Sequence, residues 1–176
     1  MMLETFKLKV LPLKNKLYRF AHSILRNEDI SKDVVQQTML KVWEKRNELE
    51  KINNIEAWCM TLTRNYALDN LRSKHHKTLV LNPEYNDSID DLSPYRITEV
   101  DNTMEILEHI VDKLPLKQKE TFQLREIEGY SYQEISDITG YNLNDVKINI
   151  FRARNTIRTT LLKFQTHGLE KSRSTS

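Results

Sequence analysis

Glycine and proline are scarce in this sequence, 3 and 4 among 176 residues. A sandwich or barrel of short strands needs many more turn residues, so the chain is expected to be helical, with few connections. Cysteine occurs once, at Cys59. That excludes an internal disulfide and a thiolate zinc site, and it fits a reducing cytoplasm. The 5 histidines are scattered, and the adjacent His75 and His76 would point different ways on a helix. No apolar run approaches the roughly 20 residues of a membrane span, so no direct membrane insertion is expected. The opening stretch MMLETFKLKVLPLKNK is too polar for a secretory leader. A glycine-rich phosphate loop, an HExxH pair, a nucleophile elbow and a credible Cys/His pair are all missing. Neither a metal, a cofactor nor an enzymatic reaction is expected.

Charge is present, and it is unevenly spread. The net charge is only +2. Residues 1–76 carry 14 Lys/Arg and 9 Asp/Glu, residues 77–112 carry 2 and 9, and residues 113–176 carry 11 and 7. Two basic blocks flank an acidic one, as in two nucleic-acid-binding modules joined by an acidic linker, or in two ordinary domains with a solvated connector.

The most informative stretch is Gly129 to Leu162, GYSYQEISDITGYNLNDVKINIFRARNTIRTTLL. Ser131 with Glu134 forms a capping box, and Tyr130 with Ile135 suits a hydrophobic staple. Gly140 supplies the left-handed residue that ends this helix. Asn142 caps the next, with Asp145 near the positive end of its dipole. A short helix, a glycine turn and a longer basic helix are the layout of a DNA-binding helix-turn-helix. Val146, Ile150, Ala153, Ile157 and Leu161 recur at helical spacing and should face the core. Asn144, Lys147, Ile148, Phe151, Arg152 and Asn155 share the other side, a mixture of amide, cation and apolar groups suited to base edges and thymine methyls. Arg154 and Arg158 flank that face within reach of phosphates. Read as a solvated amphipathic helix, the same pattern needs no DNA.

Earlier in the chain, Leu13, Leu17, Phe20, Ala21, Ile24 and Leu25 mark a helix to about Arg26. Asp29 or Ser31 is expected to cap the next, which runs to about Asn47. It buries Val34, Val35, Thr38, Met39, Val42 and Trp43, and turns Asp33, Gln36, Gln37, Leu40 and Glu44 outward. Asn54 caps a helix from Ile55 to about Arg72. Thr61, Asn65, Asp69 and Arg72 line one face of it, with Trp58 at the N-terminal end. Spacing alone favours a core Trp beside a solvated stripe over a surface for unstacked bases. Residues 77–100 lose helical periodicity and carry the turn signals Asn82–Pro83, Asp87–Ser88 and Ser93–Pro94. Helix resumes near Asp101 and stops at Leu114–Pro115. Another follows over about Leu116–Glu128, with Phe122, Leu124 and Ile127 as core candidates. The reading is all-α: residues 1–76 as one small helical domain, 77–100 as an acidic flexible linker, 101–167 as a second domain ending in the helix-turn-helix, and 168–176 as a disordered tail.

Taken in order, these motifs resemble the bacterial sigma-70 family, in its extracytoplasmic-function group, over residues 6–165. Leu17-Tyr18-Arg19-Phe20-Ala21 is similar to the family's first conserved helix. Asp33-Val34-Val35-Gln36-Gln37 with Val42-Trp43 resembles its polymerase-clamp helix. Ala57-Trp58, Arg64-Asn65, Asp69 and Arg72 resemble the promoter-melting helix. Leu114-Pro115-Leu116-Lys117-Gln118, Arg125 through Ile135, and Val146-Lys147 through Arg152-Ala153-Arg154 resemble the second domain.

The resemblance implies a sigma factor that directs RNA polymerase core to specific promoters and begins DNA melting. Asp33, Gln36, Gln37 and Met39 would meet the clamp of the β′ subunit; Gln37 stands where the pattern is usually acidic. Trp58, Thr61, Asn65, Asp69 and Arg72 would read the single-stranded minus-ten element, which reverses the reading of that stripe from spacing alone. Asn144, Lys147, Ile148, Phe151, Arg152 and Arg154 would read the duplex minus-thirty-five element; Ile148 replaces a small polar residue often found there. The second domain would also touch the polymerase β flap, and an anti-sigma protein would cover these surfaces. The rival reading is a homodimeric helix-turn-helix regulator that does not bind polymerase core.

Overall fold

The computed structural model describes residues 2–81 and 103–173, with side chains over residues 3–73 and 104–164. Every regular element among them is helical. A short helix α1 (Met2–Thr5) widens into a π turn over Phe6–Val10 and then tightens into a 3-10 turn over Leu11–Leu13, with Pro12 in the first turn of the latter. Then come α2 (Lys14–Leu25), α3 (Glu28–Glu44), a 3-10 segment Arg46–Lys51 and α4 (Ile55–Leu81). The second half holds α5 (Thr103–Asp112), α6 (Leu116–Phe122) extended by a wide turn Gln123–Ile127, α7 (Tyr132–Thr139) and α8 (Leu143–Arg173).

Local chemistry sets most of these boundaries. Arg26, at φ 49°, ends α2 in the left-handed region. The α3 cap is Asn27, whose side chain accepts from the Ile30 amide at 2.9 Å, and this corrects the expected cap at Asp29 or Ser31. Asp29 instead lies in the first turn, where its charge favours the helix dipole. Ser31 is buried one turn in and donates to the Asn27 carbonyl at 2.6 Å. Asn54 caps α4 as expected, accepting from the Ala57 amide at 2.9 Å. The helix then continues past Arg72 to Leu81, so the proposed linker begins inside α4 and its residues 82–100 lie outside the described residues. Likewise α8 runs through residue 167 to Arg173, where a disordered tail was expected; residues 174–176 lie outside the described residues.

The heptad-like apolar positions do meet in a core. Leu17, Phe20 and Ala21 of α2, Val34 and Val42 of α3, and Cys59, Met60 and Ala67 of α4 are fully buried. Thr38 and Thr63 bring their hydroxyls within 3.1 Å between α3 and α4, so the polar atoms in this packing are satisfied. Trp43 sits at the rim, edge-on to Phe6 and under Arg46, rather than inside. This same core continues into the second half through Leu124, Tyr130, Ile135, Ile138, Val146 and Ile150. A smaller cluster, Ile110, Leu114, Ala153 and Ile157, joins α5 to α8. Ile127, expected in the core, is 55% exposed, because the wide turn after Phe122 breaks the helical register that put it inward.

Asn27→Ala should destabilise the protein by about 1 kcal/mol, whereas Asp29→Ala should cost only a few tenths. Urea unfolding of the two variants checks which residue caps α3.

Candidate nucleic-acid interface

The helix-turn-helix forms as its local signals require. Ser131 accepts from the Glu134 amide at 3.2 Å, and the Glu134 side chain accepts from the Ser131 amide at 2.8 Å, closing the capping box. Gly140 ends α7 at φ 73°, a conformation that strains any residue with a Cβ. Asn142 accepts from the Asp145 amide at 2.8 Å and starts α8. Val146, Ile150, Ala153 and Ile157 are buried, and Leu161 is half-buried.

The opposite face of α8 is open. Asn144, Lys147, Ile148, Phe151 and Arg152 are all exposed, with Phe151 at 69% and Ile148 at 45%. Arg154 is also exposed but engaged: its guanidinium donates to Glu126 from Nε at 2.9 Å. This pair ties α8 to the turn after α6, while half of the Arg154 side chain stays open to solvent. Arg158 donates to Asn155 at 3.3 Å.

On α4 the stripe is split. Asn65, Asp69 and Arg72 are exposed, and Arg72 lies 3.7 Å from Asp69. Trp58 and Thr61 are half-buried, Trp58 against the core and Thr61 donating to the Ala57 carbonyl at 2.9 Å. On α3, Asp33, Gln36 and Gln37 are exposed and Met39 is half-buried. Gln36, Met39 and the 63%-exposed Leu40 border a shallow groove shared with Leu11, Tyr18 and Val35.

Sequence reasoning missed how the two halves are held. Arg64 of α4 donates from Nε and Nη2 to Glu120 of α6 at 2.9 and 3.2 Å. Tyr141 closes the knot, its hydroxyl donating to Glu120 at 2.6 Å and accepting from Arg64 at 2.9 Å. The Glu120 side chain is completely buried. Burial opposes the charge on Arg64, but the Glu120 hydrogen bonds and charge outweigh it and raise its pKa. Burial, then the Glu120 hydrogen bond, push the Tyr141 phenol up to about 12. A second fork runs from Arg19 to the buried Glu128 at 3.0 and 2.7 Å. In a third, Glu56 accepts from Lys16 at 2.7 Å and from the Tyr130 hydroxyl at 2.6 Å. Arg26 pairs with Asp112 at the edge.

Comparison with known proteins adds the decisive observation. The family model described as sigma-70 region 2 matches residues 10–77, and that described as sigma-70, region 4 matches residues 104–157. The chain is 31% identical over 150 residues to the RNA polymerase sigma factor SigV of Bacillus subtilis, covering 85% of this chain and 87% of that one. This chain belongs to the sigma-70 family, in its extracytoplasmic-function group. It is also 28% identical to the sigma factor SigE of Mycolicibacterium smegmatis, over 91% of this chain and 62% of that longer one. Among solved structures, the sigma factor RpoE of Bartonella quintana, in complex with the anti-sigma factor NepR, superposes with a TM-score of 0.72 at 26% identity, covering 90% of this chain and 96% of that one. CnrH, in complex with the cytosolic domain of CnrY, shares the fold at a TM-score of 0.64 and 21% identity, covering 90% of this chain and 88% of that one.

In this sigma factor, then, the helices that match the two regions form one packed body, closed by a shared apolar core and by ion pairs of which Arg64–Glu120 is buried on both sides. No group of three or more His, Cys, Asp or Glu that could hold a metal occurs among the described residues. Cys59 is buried, and burial followed by the nearby Glu56 charge push its thiol up to about 12, which leaves it unreactive.

Acid should loosen the third knot. Burial alone would raise the Glu56 pKa, but the hydrogen bonds from Lys16 and Tyr130 overcome it and hold the carboxyl below its usual range. Such a group adds stability in full above its unfolded pKa, about 4.3, and loses it as pH falls through the lower native value. Tyr130→Phe should therefore flatten the loss of stability below about pH 4.5, as read from urea unfolding across a pH series.

Proposed function

We propose that this sigma factor divides promoter recognition among three helix faces. On α3, Asp33, Gln36, Gln37 and Met39, with the groove beside Leu40, dock on the β′ clamp of polymerase core. On α4, Asn65 and Asp69 hold bases of the single-stranded minus-ten element, Arg72 meets its backbone, and Trp58 and Thr61 support the face from a half-buried position. On α8, Asn144, Lys147, Ile148, Phe151 and Arg152 enter the major groove of the minus-thirty-five element, and Arg154 exchanges its exposed Glu126 partner for a phosphate of the same element. The observation that carries the reading is the exposed Ile148–Phe151 pair between Lys147 and Arg152, on the second helix of a fully capped helix-turn-helix. An apolar pair on that face is costly in water but complementary to thymine methyls.

Binding energy alone drives the steps. Cations on α8 anchor the duplex and release counterions. Base contacts then discriminate by roughly 1–3 kcal/mol each. Capture of unstacked bases on α4 favours the open strand, against an unpairing cost of a few kcal/mol. No covalent step belongs to the chain. It acts where RNA polymerase core does, in the cytoplasm. The second domain meets the β flap, and an anti-sigma protein is the expected inhibitor, as the RpoE–NepR complex illustrates for that relative.

The closed packing fits this function only if it opens. Elements nominally about 25 base pairs apart are separated by about 85 Å at about 3.4 Å per step. A compact chain of this length has a radius of gyration of about 16 Å and spans about 40 Å. The α4 and α8 faces cannot reach both elements while Arg64, Arg19 and Glu56 keep their partners in the other half.

Core polymerase with this protein should transcribe from a defined set of promoters that core alone ignores. Lys147→Ala with Arg152→Ala should abolish upstream-element protection while core binding survives. Asn65→Ala with Asp69→Ala should spare that protection and reduce permanganate reactivity of the melted strand. A stable homodimer that binds paired half-sites and never co-purifies with core would instead support the rival regulator.

A further inference from the structure

Arg64 stands apart from the other latch residues because of its neighbours on α4. It directly precedes Asn65, lies one turn from Thr61, and shares a groove with Arg72. At 100° and 1.5 Å per residue, Arg64 flanks the Thr61–Asn65–Asp69 stripe, and it lies about 12 Å along the helix axis from Arg72. The two cations thus bracket Asn65 and Asp69, the proposed base-holding residues. Arg72 is exposed, whereas Arg64 is 9% exposed because Glu120 and Tyr141 cover it.

The way Glu120 holds Arg64 is informative. Nε and Nη2 donate side by side to the two carboxylate oxygens, at 2.9 and 3.2 Å. A guanidinium presents the same fork to a phosphate. Glu120 therefore occupies the Arg64 fork as a nucleic-acid phosphate would. Tyr141 donates to Glu120 and accepts from Arg64, so both partners leave together when the second half moves away.

We propose that Arg64 is a strand-binding residue of the minus-ten site, held in reserve by Glu120, whose carboxylate stands in for a backbone phosphate while the chain is closed. The proposal rests on the reading of α4 given above. Separation of the halves frees the fork beside Asn65, where it takes a phosphate of the unpaired strand. Glu120 and the strand compete for one cation, so strand capture and opening favour each other by the same factor.

The test uses holoenzyme assembled from core polymerase and each variant, titrated with a fork-junction DNA whose minus-ten segment is single-stranded, over a range of salt. Arg64→Met combined with Glu120→Gln removes the cation without leaving a buried carboxylate unpaired. This double variant should reduce the steepness of log K against log salt by about 0.7, the loss of one single-strand phosphate contact. Arg64→Lys keeps the charge and should keep the slope. Glu120→Gln alone should also keep the slope, while small-angle scattering of the free protein shows it expanded relative to wild type. An unchanged slope in the double variant, with wild-type holoenzyme binding the fork normally, overturns the role of Arg64 alone. Wild-type holoenzyme that fails to prefer the fork over the corresponding duplex overturns the reading of α4, and this proposal with it.

Discussion

The buried Arg64–Glu120–Tyr141 knot is the constraint on which the arrangement of this molecule depends. A carboxylate with no solvent exposure is tolerated only because three hydrogen bonds from two side chains satisfy it. Its partners come from opposite halves of the chain, so the halves can separate only if the ionised groups are rehydrated together. Arg19–Glu128 repeats the device on α2, and Glu56–Tyr130 reverses the polarity, with the acid in the first half. The buried Arg64–Glu120 pair contributes modest net stability against apolar packing, but losing one of its partners costs about 3–5 kcal/mol, whereas the half-exposed Arg19 and Glu56 contacts contribute less. That asymmetry favours a single docking geometry, and water can replace the polar partners once the halves part. Opening also exposes apolar residues that the two halves share, so the ion pairs are not the only contacts that must be replaced.

Function follows from which faces this packing uses and which it spares. The α3 face, the lower part of the α4 stripe and the outer face of α8 all remain open to solvent in the closed form. What closure restricts is the distance between them. A sigma factor needs two readers far apart on DNA, and a compact body of this size cannot supply that separation. Under the division of roles proposed above, the closed chain is a stored form in which the recognition faces are folded but the span between them is too short.

The local parts of this architecture could be read from the chain. Capping box, left-handed glycine and Asn cap each act within a few residues, and all three formed as the sequence implied. The buried stripe of α8 was equally legible, since 3.6-residue periodicity needs no tertiary knowledge. Failures occurred where a competing local geometry or a distant partner intervened. Asn27 took the α3 cap ahead of Asp29, whose charge serves in the first turn. Ile127 left the core when the turn after Phe122 widened. The Arg154–Glu126 pair, across twenty-eight residues, was not legible in the local pattern. The latch was invisible for the same reason, since Arg19 and Glu128 are separated by 109 residues and no periodic pattern links them. Trp58 fell between its two readings, half-buried against the core at the end of a stripe whose lower residues are exposed.

The central claim is that one latched, closed body opens on polymerase. It is tested most directly by the distance between the halves, measured by pulsed electron paramagnetic resonance with spin labels at Glu48→Cys and Thr159→Cys; both sites are exposed, and the native Cys59 is buried. The account predicts one narrow, short distance distribution for the free protein and a shift on the order of 30 Å or more to longer distances when core polymerase is added. A distribution that stays short in the transcriptionally active holoenzyme would contradict it.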